Sequence, residues 1–271
     1  SGNGNAAMAL LAAACLTQEA VTLRNMPQTV GTGTMLAVAD WLGVETTWQD
    51  THTVTLRAHQ ITRRVLSHEH MNGFLGAMLY LAPMLIQRQH AHLELDFPLN
   101  RIRTHLDALR DLGIDVVIAN NTVECKANTW DSRDILLSQA SVTATALVMM
   151  LAARLGRETV IHNAACEPHI ETLAHVLSAM GARIEGVGSN VLRVFGTAEL
   201  HGTEATIGPD HIEAASVAAI SALCGGRVQI EGIRRADLRM IGRIYGRLGI
   251  QLDIDETVLY VPKHDVLSVS N

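Results

Sequence analysis

The chain has 271 residues, 48% hydrophobic and 18% charged, enough apolar material for one large or two modest cores and too much for a disordered chain. A net charge of -6 and only 3% aromatic residues argue against nucleic acid as the principal partner, which would need clustered cations and stacking platforms. The longest apolar runs, such as Phe74 to Ile86, are shorter than the roughly 20 residues that span a bilayer, and no secretory leader is recognised, so a cytoplasmic protein without a membrane partner is expected.

In chain order the first element is an all-apolar helix, "NAAMALLAAACL", followed by a short alternating strand, "VTLRN". A second helix and strand follow in "MLAVADWLGVETTW", with Gly43 placed where a left-handed helix end is required. The same series then returns three times. The buried helices are "GFLGAMLYLAPML", "ATALVMMLAARL" and "EAASVAAISALC"; the strands are "HLELD", "TVIHN" and "VQIEG". The helix ends are "HLDALRDLGIDVVI", "TLAHVLSAMGARIEG" and "MIGRIYGRLGIQLDI", so Gly43, Gly113, Gly181 and Gly249 stand 70, 68 and 68 residues apart. Helices apolar all round belong in an interior, so four units of about 68 residues should pack on a shared helical core with sheets outside.

Helix starts give independent signals. Ser141 and Thr143 in "QASVTATALVMM" are N-cap candidates, and Asp210 with Glu213 in "GPDHIEAAS" has capping-box spacing. Such ends also present free amides to anions. Cys15, Cys125, Cys166 and Cys224 lack paired metal spacing and read as reduced thiols. His68 with His70, and His90 with His92, have the i, i+2 spacing that places two imidazoles on one strand face, but no third metal ligand is fixed. The tract "RRVLSHEH" reads as a connecting turn before it reads as a basic patch.

A buried "SGxxNA" helix, the 68-residue units, "ASVxATxxxMMxAA", "NAAxEPxI" and "PDxIEA", in this order, resemble the enolpyruvyl transferases, most nearly the branch that acts on UDP-N-acetylglucosamine in peptidoglycan precursor synthesis. The resemblance implies an α/β fold, an inside-out α/β barrel built of about 68-residue βαβαββ-type repeats, with six units in two domains and substrates in the cleft between them. On that plan residues 1–208 form a three-repeat domain, and 209–271 open a second, incomplete one. It further implies a transferase moving an enolpyruvyl group from phosphoenolpyruvate to a nucleotide-sugar hydroxyl. No metal or redox cofactor is implied, and self-association is left open.

Carried over residue by residue, the resemblance assigns substrate binding to Asn5, Arg101, Arg103, His105, Ser141, Val142, Thr143, Glu167 and Asp210. Departures are as informative. The family's Lys is Gly4, one of its Arg residues is Asn72, and the loop "LDFPLNRIRTHLDAL" is short and carries no catalytic Cys. Asn100 stands at the loop's Arg, Gln139 at a Lys, Thr143 at a Gly and His211 at an Arg. The catalytic proton donor is therefore unassigned, with Asp96 and His105 as candidates. A non-catalytic or altered-acceptor relative that binds a nucleotide sugar through the same cleft is the alternative. Each residue also has a structural reading: Asn5, Ser141 and Glu167 as helix caps, Arg101 and Arg103 as a solvated face.

Overall fold

Gly43, Gly113, Gly181 and Gly249 all stand at positive φ, between 78° and 118°, which L side chains rarely adopt. Each ends a helix and turns the chain into a strand, in a computed structural model that describes residues 1–71, 73–264 and 266–269. The first elements are α1 (Gly4–Ala13), β1 (Val21–Arg24), α2 (Val30–Leu42), β2 (Glu45–Asp50) and β3 (Thr53–Arg57). Next come β4 (Val65–Leu66), α3 (His68–Met71), α4 (Leu81–Arg88), β5 (His90–Glu94), α5 (Arg103–Asp111), β6 (Asp115–Ala119) and β7 (Thr122–Lys126). The third group is β8 (Trp130–Leu136), α6 (Val142–Leu155), β9 (Gly156–His162), α7 (Pro168–Ala179), β10 (Arg183–Glu185) and β11 (Val191–Phe195). The last is β12 (Thr203–Thr206), α8 (His211–Leu223), β13 (Val228–Glu231), α9 (Arg239–Arg247), β14 (Asp253–Ile254) and β15 (Val258–Val261).

The chain divides into two compact units, Gly4–Ile207 and the residues from Gly208 onward together with Ser1–Asn3. In the larger unit α1, α4 and α6 touch one another and bury almost every side chain, including Ala144 through Ala153 of α6. Their small and flexible residues suit a crowded interior, where helices without a polar face must be enclosed. Three four-stranded sheets, ordered β12-β1-β3-β2, β4-β5-β7-β6 and β10-β11-β9-β8, pack against these helices and against α2, α5 and α7. In each sheet one strand is held in parallel: β4 on β5, β8 on β9 and β12 on β1. The strand that closes the first sheet thus comes from the end of the unit.

The second unit has a small core of its own, from Ala214, Ala218 and Ala222 of α8 to Leu259 and Val261 of β15. Its sheet, β13-β15-β14, has three strands, and β13 has no parallel neighbour among the described residues. Ile220 (62%) and Leu223 (71%) of α8 are exposed, although α8 is as apolar as the enclosed α6.

Several local expectations change. The second inner helix begins as a 3-10 segment, Leu75–Tyr80, and becomes α-helical only at Leu81. Pro83 has no N–H to donate to Leu79, so it is tolerated only in an α-helical first turn. His68 and His70 lie on the short α3 and not on a strand, so their spacing does not align two imidazoles; His70 Nδ1 pairs with Ser67 Oγ at 2.7 Å. His90 and His92 are on β5, where His90 meets Glu124 at 2.8 Å. The "RRVLSHEH" tract carries β4 and α3, with the Arg63 guanidinium 4.5 Å above the Trp41 ring. Burial pushes the Cys15 and Cys125 thiols up to about 12, which makes them inert core residues.

Candidate functional site

Ser141 adopts an extended backbone before α6, and its Oγ accepts a hydrogen bond from the Ala144 amide at 3.3 Å. The first helical backbone bond runs from Thr145 N to the Ser141 carbonyl. The amides of Val142 and Thr143 precede it and point out of the helix, where the positive end of the helix dipole lies. Beside this helix start stands another. A 3-10 turn over Leu99–Ile102 leads into α5, whose first turn puts His105 against α6 with its Nε2 2.7 Å from Thr143 Oγ1. Thr104 Oγ1 and Ser138 Oγ join the two segments again at 3.1 Å.

Between them lies a concavity of about 310 Å³, lined by Asn100, Arg101, Arg103, His105, Gln139 and Ser141 among others. Arg101 stacks over Phe97 at 5.0 Å and has no carboxylate partner among the described residues. Arg103 is loosely drawn to Asp107, 3.7 Å away, and stays 82% exposed. Two cations and the Ser141 hydroxyl therefore line one hollow, together with the Asp107 carboxylate, and the α6 start with its free amides lies next to it, a set that suits a phosphate-bearing ligand.

His105 is 2% exposed, and burial drives its imidazole down to about 4. It is neutral at neutral pH and cannot carry a donatable charge there. Its geometry is that of a positioning residue, which fixes Thr143 and so the α6 start. Asp96 is exposed and lies outside the hollow.

The other assignments fall elsewhere. Asn5 is the second residue of α1, inside the helix and not its cap, and it does not line the hollow. Glu167 occupies the N-cap position of α7, yet its side chain makes no cap bond, and its Oε2 is buried without a partner among the described residues. The same loop is tied to α6 by the Ala165 amide, which donates to Thr145 Oγ1 at 3.0 Å. Asp210 belongs to the second unit and caps α8 through Ile212 N and Glu213 N. Only half of the expected capping box forms, because the Glu213 carboxylate accepts from Ser1 Oγ and the Asp210 amide bonds the Ser1 carbonyl. Asn72 lies outside the described residues. The Thr104–Ser138 pair escaped sequence reasoning. Its one available signal was the position of Thr104 next to His105.

A family model described as EPSP synthase (3-phosphoshikimate 1-carboxyvinyltransferase) matches residues 1–269. Among curated proteins, the UDP-N-acetylglucosamine 1-carboxyvinyltransferase of Treponema denticola is 33% identical over 274 residues, covering all of this chain and 64% of that protein. Its namesake in Treponema pallidum is 35% identical over 253 residues, 92% of this chain and 59% of the relative. This chain thus spans less than two thirds of the length of these relatives. The enolpyruvyl transferase NikO from Streptomyces tendae superposes with a TM-score of 0.85 at 20% identity, over 98% of this chain and 65% of that one. EPSP synthase from Acinetobacter baumannii gives 0.73 at 16%, over 98% and 64%. These likenesses identify the architecture as theirs, mixed α/β with an interior of helices.

Proposed function

Because the chain belongs to the EPSP synthase family, we propose that it is the nucleotide-sugar-binding part of a transferase that moves an enolpyruvyl group from phosphoenolpyruvate to a hydroxyl of UDP-N-acetylglucosamine, in peptidoglycan precursor synthesis. One observation carries this reading: the hollow lined by Ser141, Arg101 and Arg103 at the N-terminal end of α6. In it the diphosphate rests on the α6 start and is clamped by Arg101, while His105 holds Thr143 in place. Asn5 and the unpartnered carboxylate oxygen of Glu167 are assigned to the sugar. The residues from Gly208 onward are read as the first repeat of a second three-repeat domain. The unpaired β13 edge and the uncovered α8 face support that assignment.

The test is calorimetric titration with UDP-N-acetylglucosamine, then with phosphoenolpyruvate, followed by an assay for released phosphate. Ser141→Ala is expected to weaken nucleotide-sugar binding about tenfold or more, since it removes a hydroxyl contact and loosens the helix start that presents the amides. An unchanged affinity in S141A rejects the assigned cradle.

A second reading, a binding or altered-acceptor relative, is favoured by Gly4, where the family's cation is missing. A Cβ built on Gly4 has nothing within 4 Å, so Gly4→Lys introduces no clash there. The lysine is expected to tighten phosphoenolpyruvate binding at least tenfold, by a charge-assisted contact worth about 1.5 to 3 kcal/mol. Phosphate release by G4K and not by the original chain makes the missing cation the reason for inactivity; release by both makes it dispensable.

A further inference from the structure

At the other end of α6, about 20 Å from Ser141 by the rise of its 14 residues, is a second and larger concavity of about 750 Å³. It lies where the chain leaves α1, α4 and α6, and its lining includes Glu19, Gln60, Arg88, Arg154, Glu199 and His201. Its floor is fixed by Gln87, whose side-chain amide donates to the Cys15 and Ala58 carbonyls and accepts from the Ile61 amide.

The two arginines are the unexplained feature. Both stand in the last turns of their helices and are half-buried, and neither has a carboxylate or hydrogen-bond partner among the described residues. Arg88 Nε is buried with no acceptor among the described residues. The partial negative charge of the helix ends explains why two cations are held there, but it leaves their forked donors unused. Glu19 is not available to them. Its carboxylate accepts from the Gly202 amide at 2.8 Å and faces His201 Nδ1 at 3.3 Å, and these bonds hold it below the usual carboxylate range.

We propose that this cavity binds a small phosphorylated, hydroxyl-bearing molecule, with Arg88 and Arg154 clamping the phosphate while Gln60 and Glu199 at the rim meet its hydroxyls. Two unspent guanidiniums over a rigid floor supply the planar, doubled donors that an oxyanion takes, and the volume leaves room for more than the anion. The ligand is distinct from the nucleotide sugar, because the two hollows sit at opposite ends of one helix.

The experiment is calorimetric titration of the whole chain at constant ionic strength with inorganic phosphate, glucose 6-phosphate and free glucose. Saturable binding of glucose 6-phosphate is expected, weakened about tenfold or more in R88Q and in R154Q and retained in the R101Q/R103Q pair. Circular dichroism of each variant checks folding, and R154Q reads the site if R88Q does not fold. The proposal is overturned by no saturable binding, by glucose binding as tightly as its phosphate, by insensitivity to both R88Q and R154Q, or by loss confined to R101Q/R103Q, which places the anion at the α6 start.

Discussion

Gly196→Ala is expected to destabilise the protein by about 3 kcal/mol or more, read as a fall in the denaturation midpoint by urea. Gly196 follows β11, where the chain passes between the end of α6 and the start of β9. Its amide donates to the Arg157 carbonyl at 3.1 Å, and the next amide, Thr197, donates to the Ala153 carbonyl at 3.0 Å. A Cβ on Gly196 would overlap the Gly156 carbonyl oxygen and lie 2.6 Å from that of Ala152. Both are backbone atoms, fixed by strand and helix, so no side chain can rotate away. Relief requires the β9–β11 pairing to open or α6 to retreat from a core in which Leu151, Ala152 and Ala153 are fully buried. The contrast is Gly33→Ala, on the exposed face of α2, where the added methyl has nothing within 4 Å. That change is expected to stabilise by about 0.5 to 1 kcal/mol, since alanine loses less entropy in a helix. Equal effects at the two positions would remove packing as the explanation.

How far these properties were legible depends on whether their causes are local. Helices α1 and α6 announced themselves, because a run with no polar face calls for enclosure, although the equally apolar α8 leaves Ile220 and Leu223 exposed. Gly43, Gly113, Gly181 and Gly249 were legible for the same reason: the need for positive φ is written at one position. The parallel pairing of β12 with β1 was not. Thr203–Thr206 carries no apolar alternation, and its partner lies at the far end of the unit. The site divides in the same way. Ser141 could be read as a cap from its neighbours, but the His105–Thr143 bond joins residues 38 apart and exists because α5 docks its first turn against α6. Nor does "EP" in the sequence reveal that Glu167 takes the cap position without using its carboxylate.

That docking also makes stability depend on pH. His105 titrates near 6.5 when the chain is unfolded and at about 4 when folded, because burial penalises the charged ring. Between these values the unfolded state binds the extra proton. The contribution of His105 is therefore complete above pH 6.5 and is lost as pH falls toward 4. By linkage the loss is about 2 kcal/mol at pH 5 and about 3 kcal/mol when complete. Carboxylates and other histidines titrate in the same window, so the quantity to measure is a difference: urea unfolding of the original chain and of His105→Gln, each at pH 7 and pH 5. Glutamine has no proton to gain and keeps a polar group within reach of Thr143. The variant is expected to lose some stability at pH 7 but about 2 kcal/mol less than the original chain on going to pH 5. Identical pH slopes would mean that His105 is already charged in the folded protein, and a cationic His105 would then be a proton donor for the site and not only its brace.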